Sequence, residues 1–309
     1  MDKLLHISSS PHIHSGRSTA SIMRDVIIAL APTTIAGVFI FGLRSLLIIA
    51  ICVGSAVGFE ALYNIITKKD QTIGDFSAAL TGLLLALNLP SHTPVWQCVI
   101  GSLFAIVLVK CIFGGIGYNL VNPAITARVF MIVAFSSIAK PAFPTIVDTA
   151  SSATPLQQMA NGETPKLLDL FLGTTGGAIG ETCAVALLVG FVYLLIRKVI
   201  TWHIPVAFIG SAFIIFLLME GFDFTKALAM VLSGGILLGA IFMATDYVTS
   251  PSTPWGKIVF GVGAGVITFL IRYYGSYPEG VSFAILLMNI LNPYIEKFTA
   301  RKIFGGVKV

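Results

Sequence analysis

The residues of this chain that could do chemistry are polar side chains set in an otherwise apolar sequence. The segment Asp148-Thr149-Ala150-Ser151-Ser152-Ala153-Thr154 combines one carboxylate with four hydroxyl groups, and Pro155 follows it. Such groups can each form several hydrogen bonds, which makes the segment a first candidate site. A surface loop that is simply rich in Ser, Thr and Ala is the alternative, and the segment alone does not decide between the two.

Three acidic residues lie within or beside apolar runs. Glu60 is inside such a run, Asp246 follows another, and Glu279 precedes the last one. An acid inside a membrane span is costly and is a functional candidate by default, so Glu60 is a candidate functional residue, whereas Asp246, as a lone acid at the end of a run, could instead terminate a helix. For Glu60, a structural hydrogen bond to a neighbouring helix is a serious alternative.

A second polar cluster lies in the segment from Phe113 to Arg128. Asn119 and Asn122 can each donate and accept hydrogen bonds, and Asn122 can also cap a helix that begins at Pro123. Arg128 lies about two turns into the following apolar run, where a charge costs about 2.5–3.5 kcal/mol on insertion scales. It therefore needs an acid, a carbonyl group or an anionic ligand as its partner.

The composition identifies lipid as the main solvent of the chain. Of its 309 residues, 56% are hydrophobic and only 11% are charged, and the mean hydropathy is +0.92. Soluble domains carry about 25% charged residues. The net charge of +5 gives no reason to invoke nucleic acid. The four cysteines lie in apolar runs without a C-x-x-C pair, so buried free thiols are predicted.

The predicted fold is an all-α integral membrane protein with about ten transmembrane helices, because a chain in lipid must satisfy its backbone polar groups internally. Ten apolar runs approach spanning length. They cover 25–43, 45–66, 76–90, 95–113, 122–139, 176–196, 203–219, 226–244, 256–272 and 280–297.

The distribution of basic residues predicts the orientation. With a cytoplasmic N-terminus, thirteen Lys and Arg residues lie on the inner side and five on the outer side, while Arg128 lies within a span. Both termini are therefore predicted to be cytoplasmic. The predicted parts are a cytoplasmic segment 1–24, a first membrane repeat 25–139, an external loop 140–175, a second repeat 176–297 and a cytoplasmic tail 298–309.

The two halves resemble each other at an offset near 160 residues. The segment 89–96 is similar to 249–255, and Glu60 and Glu220 are one offset apart. Each half holds five predicted spans, an odd number, so the second half would run inverted through the membrane, as in proteins whose sites lie between inverted repeats. Chance similarity between loops rich in Gly and Pro is the alternative.

Four segments together resemble one family. Residues 148–154 resemble a flavin-attachment motif, D-x-x-[ST]-[GS]-A-[ST], with Ser152 where Gly is usual. Residues 113–128 resemble G-G-x-G-x-N-x-x-N-P-A, residues 243–251 resemble M-A-T-D-x-V-[ST], and residues 279–289 resemble E-G-x-x-[FY]-A-[IV]-L-x-x-N. These are motifs of the family that RnfD, of the Rnf complex, shares with the matching membrane component of the sodium-translocating NADH:quinone reductase. The length of the chain is closer to RnfD.

The resemblance implies FMN bound through a phosphoester to Thr154, on a loop to which Asp148, Ser151 and Ser152 contribute. It also implies a second, non-covalent flavin, with riboflavin as the candidate. The family assigns the region of Asp246 to this second flavin or to the cation path. Asn119, Asn122 and Arg128 are further candidates for cofactor binding, and the two asparagines suit the edge of an isoalloxazine ring or a dehydrated cation. The coupling-ion path implied by the family includes Glu60, with Asp246 and Glu279 as further candidates.

The function that the resemblance implies is that of a redox component of a larger translocase in the inner membrane of a prokaryote. Electron flow between ferredoxin and NAD would be coupled to Na⁺ or H⁺ transport. The chain would not be catalytic alone, and no catalytic residue or metal ligand is predicted. Its partners would be other Rnf-type subunits, including a second subunit with covalent FMN and those that handle ferredoxin and NADH. A flavin-free channel or secondary transporter is the alternative, with Thr154 inert.

Overall fold

The computed structural model describes residues 17–145, 153–275 and 280–300. Four residues of the predicted sites, Asp148, Ser151, Ser152 and Glu279, lie outside these described ranges. Within them the chain is helical. The helices are α1 Thr19–Phe41, α2 Leu43–Ile66, α3 Ser77–Leu87, α4 Val95–Leu103, α5 Pro123–Ala134, α6 Pro155–Ala160, α7 Leu167–Leu172, α8 Ala184–Ile196, α9 His203–Met219, α10 Phe224–Leu232, α11 Ile236–Leu238, α12 Pro254–Tyr274 and α13 Val281–Thr299.

Each of the ten predicted runs contains helix, and the chain is a membrane protein. Among the described residues, α1, α2 and α12 are each long and apolar enough to cross a bilayer. A fourth crossing is formed if α10 is counted together with the segment Ile236–Met243, from which it is bent by 64°. Five further apolar helices are 10 to 17 residues long. By length and composition alone, three or four segments of the described chain are able to cross a membrane.

Several elements are shorter than the runs that predicted them, and local chemistry explains why. Helix α3 begins after Phe76, whose backbone is in the left-handed conformation with φ of 62°. It ends at Leu87, two residues before the Leu89-Pro90 pair. Helix α5 begins at the predicted Asn122 cap but ends at Ala134, because Phe135 is extended. Part of the predicted loop 140–175 is helical, since it contains α6 and α7.

Two helices continue into π-helical segments with a wider turn. Helix α4 continues as Phe104–Cys111, and α11 continues as Gly239–Met243. Such segments are rare and occur frequently at functional sites. The first of them carries Lys110, and the second ends just before Asp246.

Glycines allow the closest helix contacts. A Cβ on Gly261 of α12 would lie 2.9 Å from the carbonyl oxygen of Ile204 in α9, and a Cβ on Gly265 would lie 2.9 Å from that of Phe208. Small residues at helix interfaces let backbones approach in this way. These two glycines therefore pack α12 closely against α9.

The polar sites lie at two opposite ends of the helix bundle. At one end, Arg44 near the start of α2 donates to the carbonyl oxygen of His92, whose Nε2 lies 3.1 Å from the carbonyl oxygen of Ser137. Near the other end of α2 lies Glu60. The 16 residues from Arg44 to Glu60 correspond to about 24 Å at ~1.5 Å per residue.

Candidate cofactor and ion sites

Thr154 is held at the start of α6 by a capping box. Its Oγ1 accepts a hydrogen bond from the backbone N–H of Gln157 at 3.2 Å, and the Thr154 N–H donates to Oε1 of Gln157 at 3.0 Å. Pro155 occupies the first helical position, where its missing N–H costs nothing. The sequence Thr-Pro-Leu-Gln thus fixes the position of the Thr154 hydroxyl through local interactions.

The cavity beside Thr154 contains charged groups of both signs. We call it the Thr154 cavity, and its lining includes Thr154, Asn88, Arg128, Lys140 and Glu181. Lys140 is exposed, whereas Arg128 and Glu181 are each only 3% exposed. Residues 138–140 directly follow Ser137, so this cavity lies at the end of the bundle where α2 begins.

Arg128, which is predicted to need an acid, a carbonyl group or an anionic ligand, has an amide oxygen and a carboxylate beside its guanidinium group. Its Nη1 donates to Oδ1 of Asn88 at 2.5 Å, and its Nη2 lies 3.9 Å from Oε2 of Glu181. Glu181 Oε1 accepts from the backbone N–H of Ala178 at 2.8 Å, which leaves Oε2 directed toward the guanidinium without a hydrogen bond in the described residues. This ion pair offsets part of the cost of burying either charge.

A second cavity joins residues from both halves of the chain. We call it the Asp246 cavity, and Asn119, Asn122, Asp246, Ser77 and Lys110 are among its lining residues. The predicted cap is confirmed, since Asn122 Oδ1 accepts from the N–H groups of Ala124 and Ile125. The three predicted residues Asn119, Asn122 and Asp246 are therefore together, whereas Arg128 lies in the other cavity.

The polar groups of the Asp246 cavity differ in whether they form hydrogen bonds within the described residues. Asn122 Nδ2 donates to the carbonyl oxygen of Met243 at 3.3 Å, so that the first half is tied to the second. Asn119 Oδ1 is buried and accepts no hydrogen bond from the described residues. A ligand group with a donor at its edge would satisfy this oxygen.

Asp246 lies in the connection between the π-helical segment and α12. It is half-buried, and its Oδ2 accepts a hydrogen bond from Thr249 Oγ1 at 3.0 Å. Burial raises the pKa of the Asp246 carboxyl above its ordinary value, although the hydrogen bonds from Thr249 and from the backbone of Val248 and Tyr247 oppose this effect. Burial therefore favours the protonated form of this carboxyl relative to a fully exposed aspartate.

Glu60 is paired with a buried lysine. The Lys110 Nζ lies 2.8 Å from Oε1 of Glu60, and both side chains are at most 3% exposed. The same oxygen accepts from Thr72 Oγ1 at 2.7 Å, and Lys110 also donates to Ser77 Oγ at 2.6 Å. A contact with a neighbouring helix, the alternative considered for Glu60, is thus present as an ion pair.

A third cavity opens beside this ion pair. We call it the Glu60 cavity, and it has a volume of about 450 Å³ with Glu60, Lys68, Lys69, Thr72 and Asp75 in its lining. Lys110 belongs instead to the lining of the Asp246 cavity. The Lys110–Glu60 pair therefore lies between the two cavities.

Sequence reasoning missed two charged residues of these sites. The predicted orientation counts Lys110 among the thirteen basic residues of the inner side, although it lies within the run 95–113, and the structure buries it. Glu181 lies inside the predicted span 176–196, where the same rule that identified Glu60 applies. In both cases the signal was a charge within an apolar run.

Comparison with known proteins gives consistent similarity over nearly the whole chain. The family model described as the NQR2, RnfD, RnfE family matches residues 6–305. The D subunit of the Na(+)-translocating ferredoxin:NAD(+) oxidoreductase complex of Acetobacterium woodii is 47% identical, over 99% of this chain and 96% of its own. The D subunit of the proton-translocating ferredoxin:NAD(+) oxidoreductase complex of Clostridium ljungdahlii is 41% identical, over 97% and 96%. The D subunit of the ion-translocating oxidoreductase complex of Haemophilus influenzae is 35% identical, over 96% and 97%.

Proposed function

This chain belongs to the NQR2, RnfD, RnfE family, and we propose on that premise that it is the D-type membrane subunit of an Rnf ferredoxin:NAD oxidoreductase complex. In this proposal it carries electrons through FMN esterified to Thr154 and couples their flow to Na⁺ or H⁺ transport. The observation that carries the proposal is the position of the Thr154 hydroxyl on a cavity with Arg128 and Lys140, at the end of the bundle opposite Glu60.

The residues around Thr154 fit an anionic tether. A phosphoester keeps negative charge on the phosphate, and the exposed Lys140 side chain can reach a group at the rim of the cavity. Arg128 adds a buried positive charge, and the ion pair with Glu181 orients its guanidinium group. Once bound, the flavin would supply electron transfer, while the chain would position it and balance its charge.

The Asp246 cavity fits a second, non-covalent ring system such as riboflavin. Apolar side chains such as Ile116 and Phe242 line it together with Asn119, Asn122 and Asp246. Ligand sites commonly combine apolar walls with a few polar groups that set orientation. The unsatisfied Asn119 oxygen is the group that such a ligand would engage first.

The coupling ion would use the acids at the opposite end from Thr154. Glu60 is buried in an ion pair, and Asp246 lies in the adjoining cavity with a raised pKa. Paired acids within a bundle mark ion pathways in membrane proteins. Glu279 remains a further candidate for this path.

We also propose ten spans in two inverted repeats, covering 25–139 and 176–297. In the first half α4 packs on α2, and in the second half α12 packs on α9. The π-helical continuation of α4 carries Lys110, which donates to Ser77 at the start of α3, and α12 carries Arg272, which donates to the carbonyl oxygens of Met230 and Ser233 at the end of α10. These correspondences, at an offset near 160, support the repeat.

The same proposal includes cytoplasmic termini, an external 140–175 segment and a position in the inner membrane of a prokaryote. The chain would act only with partner subunits, because the proposed electron donor and acceptor are handled elsewhere in the complex. These partners would include the other Rnf-type membrane subunits, a second subunit with covalent FMN and the peripheral ferredoxin- and NADH-handling subunits.

Replacing Thr154 tests the flavin assignment. Thr154→Asn removes the hydroxyl but keeps a strong helix cap, so the fold should be retained while covalent flavin is lost. Thr154→Ser should keep both. Denatured protein from the native complex is run on a gel under ultraviolet light, and the peptide that contains residues 148–166 is analysed by mass spectrometry.

The controls separate the two functional classes. Ser151→Ala and Ser152→Ala should retain the flavin adduct on Thr154. An adduct on either serine would refute the assignment to Thr154. Wild-type protein without covalent flavin, after expression with the flavin transferase, would instead favour the channel or secondary transporter.

A further inference from the structure

The environment of Lys110 is that of a bound cation. Its ammonium group is enclosed at the junction of α2, α3 and the π-helical segment after α4, and the whole residue is 2% exposed. It donates to Glu60 Oε1 at 2.8 Å and to Ser77 Oγ at 2.6 Å. Both ligands are oxygens, the atom type that replaces the hydration shell of a cation in membrane sites.

Further oxygens complete this surrounding. Thr72 Oγ1 lies 2.7 Å from Glu60 Oε1, and Asp75 Oδ1 lies 2.5 Å from Ser77 Oγ. Glu60, Thr72 and Asp75 all line the Glu60 cavity, so this set of oxygens is accessible from that side. A small cation that entered the cavity would therefore meet Glu60, the carboxylate that now pairs with Lys110, together with the oxygens of Thr72 and Asp75.

One oxygen of the ion pair is left without a hydrogen bond. Glu60 Oε2 is buried and accepts none from the described residues. An unsatisfied buried acceptor is costly, and here it belongs to a carboxylate beside an open cavity. The site can thus begin to bind a second cation before Lys110 leaves.

The displaced ammonium group could move into the Asp246 cavity. Lys110 and Ser77 line the Asp246 cavity, and Asp246 is the acid in that cavity. Movement of Lys110 from Glu60 toward Asp246 would exchange one carboxylate partner for another. The charge at Glu60 would remain balanced if one monovalent cation replaced the ammonium group.

We propose that Lys110 is an internal competitor for the coupling ion at Glu60. An alkali cation, Na⁺, enters from the Glu60 cavity and takes the place of the ammonium group, which shifts toward Asp246. Lys110 thereby sets the apparent Na⁺ affinity of the site and links occupation of Glu60 to the Asp246 cavity. This inference rests on the proposed ion-coupling function and adds the residue that regulates it.

Equilibrium binding of radioactive Na⁺ to the purified complex tests the competition. Lys110→Met removes the competitor, and apparent affinity should rise by about tenfold or more if Lys110 occupies the site at least about nine-tenths of the time. Glu60→Gln/Lys110→Met, a neutral pair, should lose this Na⁺ binding.

A charge-retaining variant keeps the test informative if Lys110→Met does not fold. Lys110→Arg preserves the positive charge but can hold the carboxylate with two hydrogen bonds, so Na⁺ affinity should fall below that of the wild type. Unchanged Na⁺ affinity in either folded variant would overturn the proposal.

Flavin fluorescence measured on the same denatured samples distinguishes the two levels of inference. Normal covalent flavin together with unaltered Na⁺ affinity in the Lys110 variants would refute only the role of Lys110. Absence of covalent flavin from the wild type would refute the proposed redox function, whatever the Na⁺ result.

Discussion

The buried charges of this protein differ in how they are compensated. Arg128 has an amide oxygen and a carboxylate as partners, and Glu60 has a lysine. Asp246 has only hydrogen bonds from a hydroxyl and from the backbone among its interactions with the described residues. Because hydrogen bonds compensate a charge less completely than an opposite charge does, burial raises the pKa of the Asp246 carboxyl above its ordinary value.

The stability of the protein should reveal the raised pKa of Asp246. The folded pKa lies above the ordinary value of about 3.9, so the favourable contribution of the protonated form is full below that value and is lost as the pH rises through the folded pKa. Asp246→Asn cannot ionise and should not show this loss. Thermal unfolding of both proteins between about pH 4 and pH 7 should therefore show the variant gaining relative stability with increasing pH. A constant difference across this range would mean that the pKa is not raised.

At the scale of helices, the sequence predicted the existence of elements better than their extent. Hydropathy located α2 to within a few residues, because both of its ends coincide with polar or glycine-containing turns. It extended α5 to 139, although Phe135 ends the helix, because Phe135 is as apolar as the residues before it. Hydropathy reports the affinity for lipid and not the backbone conformation.

The candidate site followed the same pattern. The cap chemistry located Asn122 at the start of α5, because a helix cap depends on short-range interactions. The Lys110–Glu60 pair joins residues 50 positions apart, and the Arg128–Glu181 pair joins residues 53 apart. These contacts depend on how helices pack, which no local pattern in one sequence specifies.

The packing of α12 on α9 should depend on Gly261. In Gly261→Ala the added Cβ would lie 2.8 Å from Ala207 Cβ and 2.9 Å from the Ile204 carbonyl oxygen, so the helices must separate. We expect a loss of about 1–3 kcal/mol in unfolding free energy, as for other overpacked interiors.

Gly210→Ala on α9 is the matched control for that substitution. A Cβ at Gly210 would meet nothing within 4 Å, and alanine favours helix more than glycine does. Its unfolding free energy should be unchanged or higher when both variants are unfolded by heat in the same detergent. Equal stability of the two variants would show that α12 can shift without cost.

Across the whole molecule, the two kinds of proposed site are separated along the bundle axis. The Thr154 cavity lies at the end where α2 begins, and the Glu60 and Asp246 cavities adjoin each other near the other end. Asn122 ties the two halves together, since its side chain donates to the carbonyl oxygen of Met243 and its backbone N–H donates to Asn289 Oδ1. In the proposed function, electrons on a flavin at Thr154 and ions at Glu60 would be handled at opposite surfaces of the membrane, so that coupling would act through the packed halves.

The orientation of the bundle can be measured with two single cysteines. Glu163 is exposed after α6, at the Thr154 end, and Gly74 is exposed between α2 and α3, at the Glu60 end. A membrane-impermeant maleimide should label Glu163→Cys in intact cells, and should label Gly74→Cys only after the membrane is opened, because the basic residues near Gly74 favour the cytoplasm. The parent chain is the control, since Cys52, Cys98 and Cys111 are buried and Cys183 is half-buried. The reverse labelling pattern would place Thr154 on the cytoplasmic side and would require the ion to enter at Glu60 from outside.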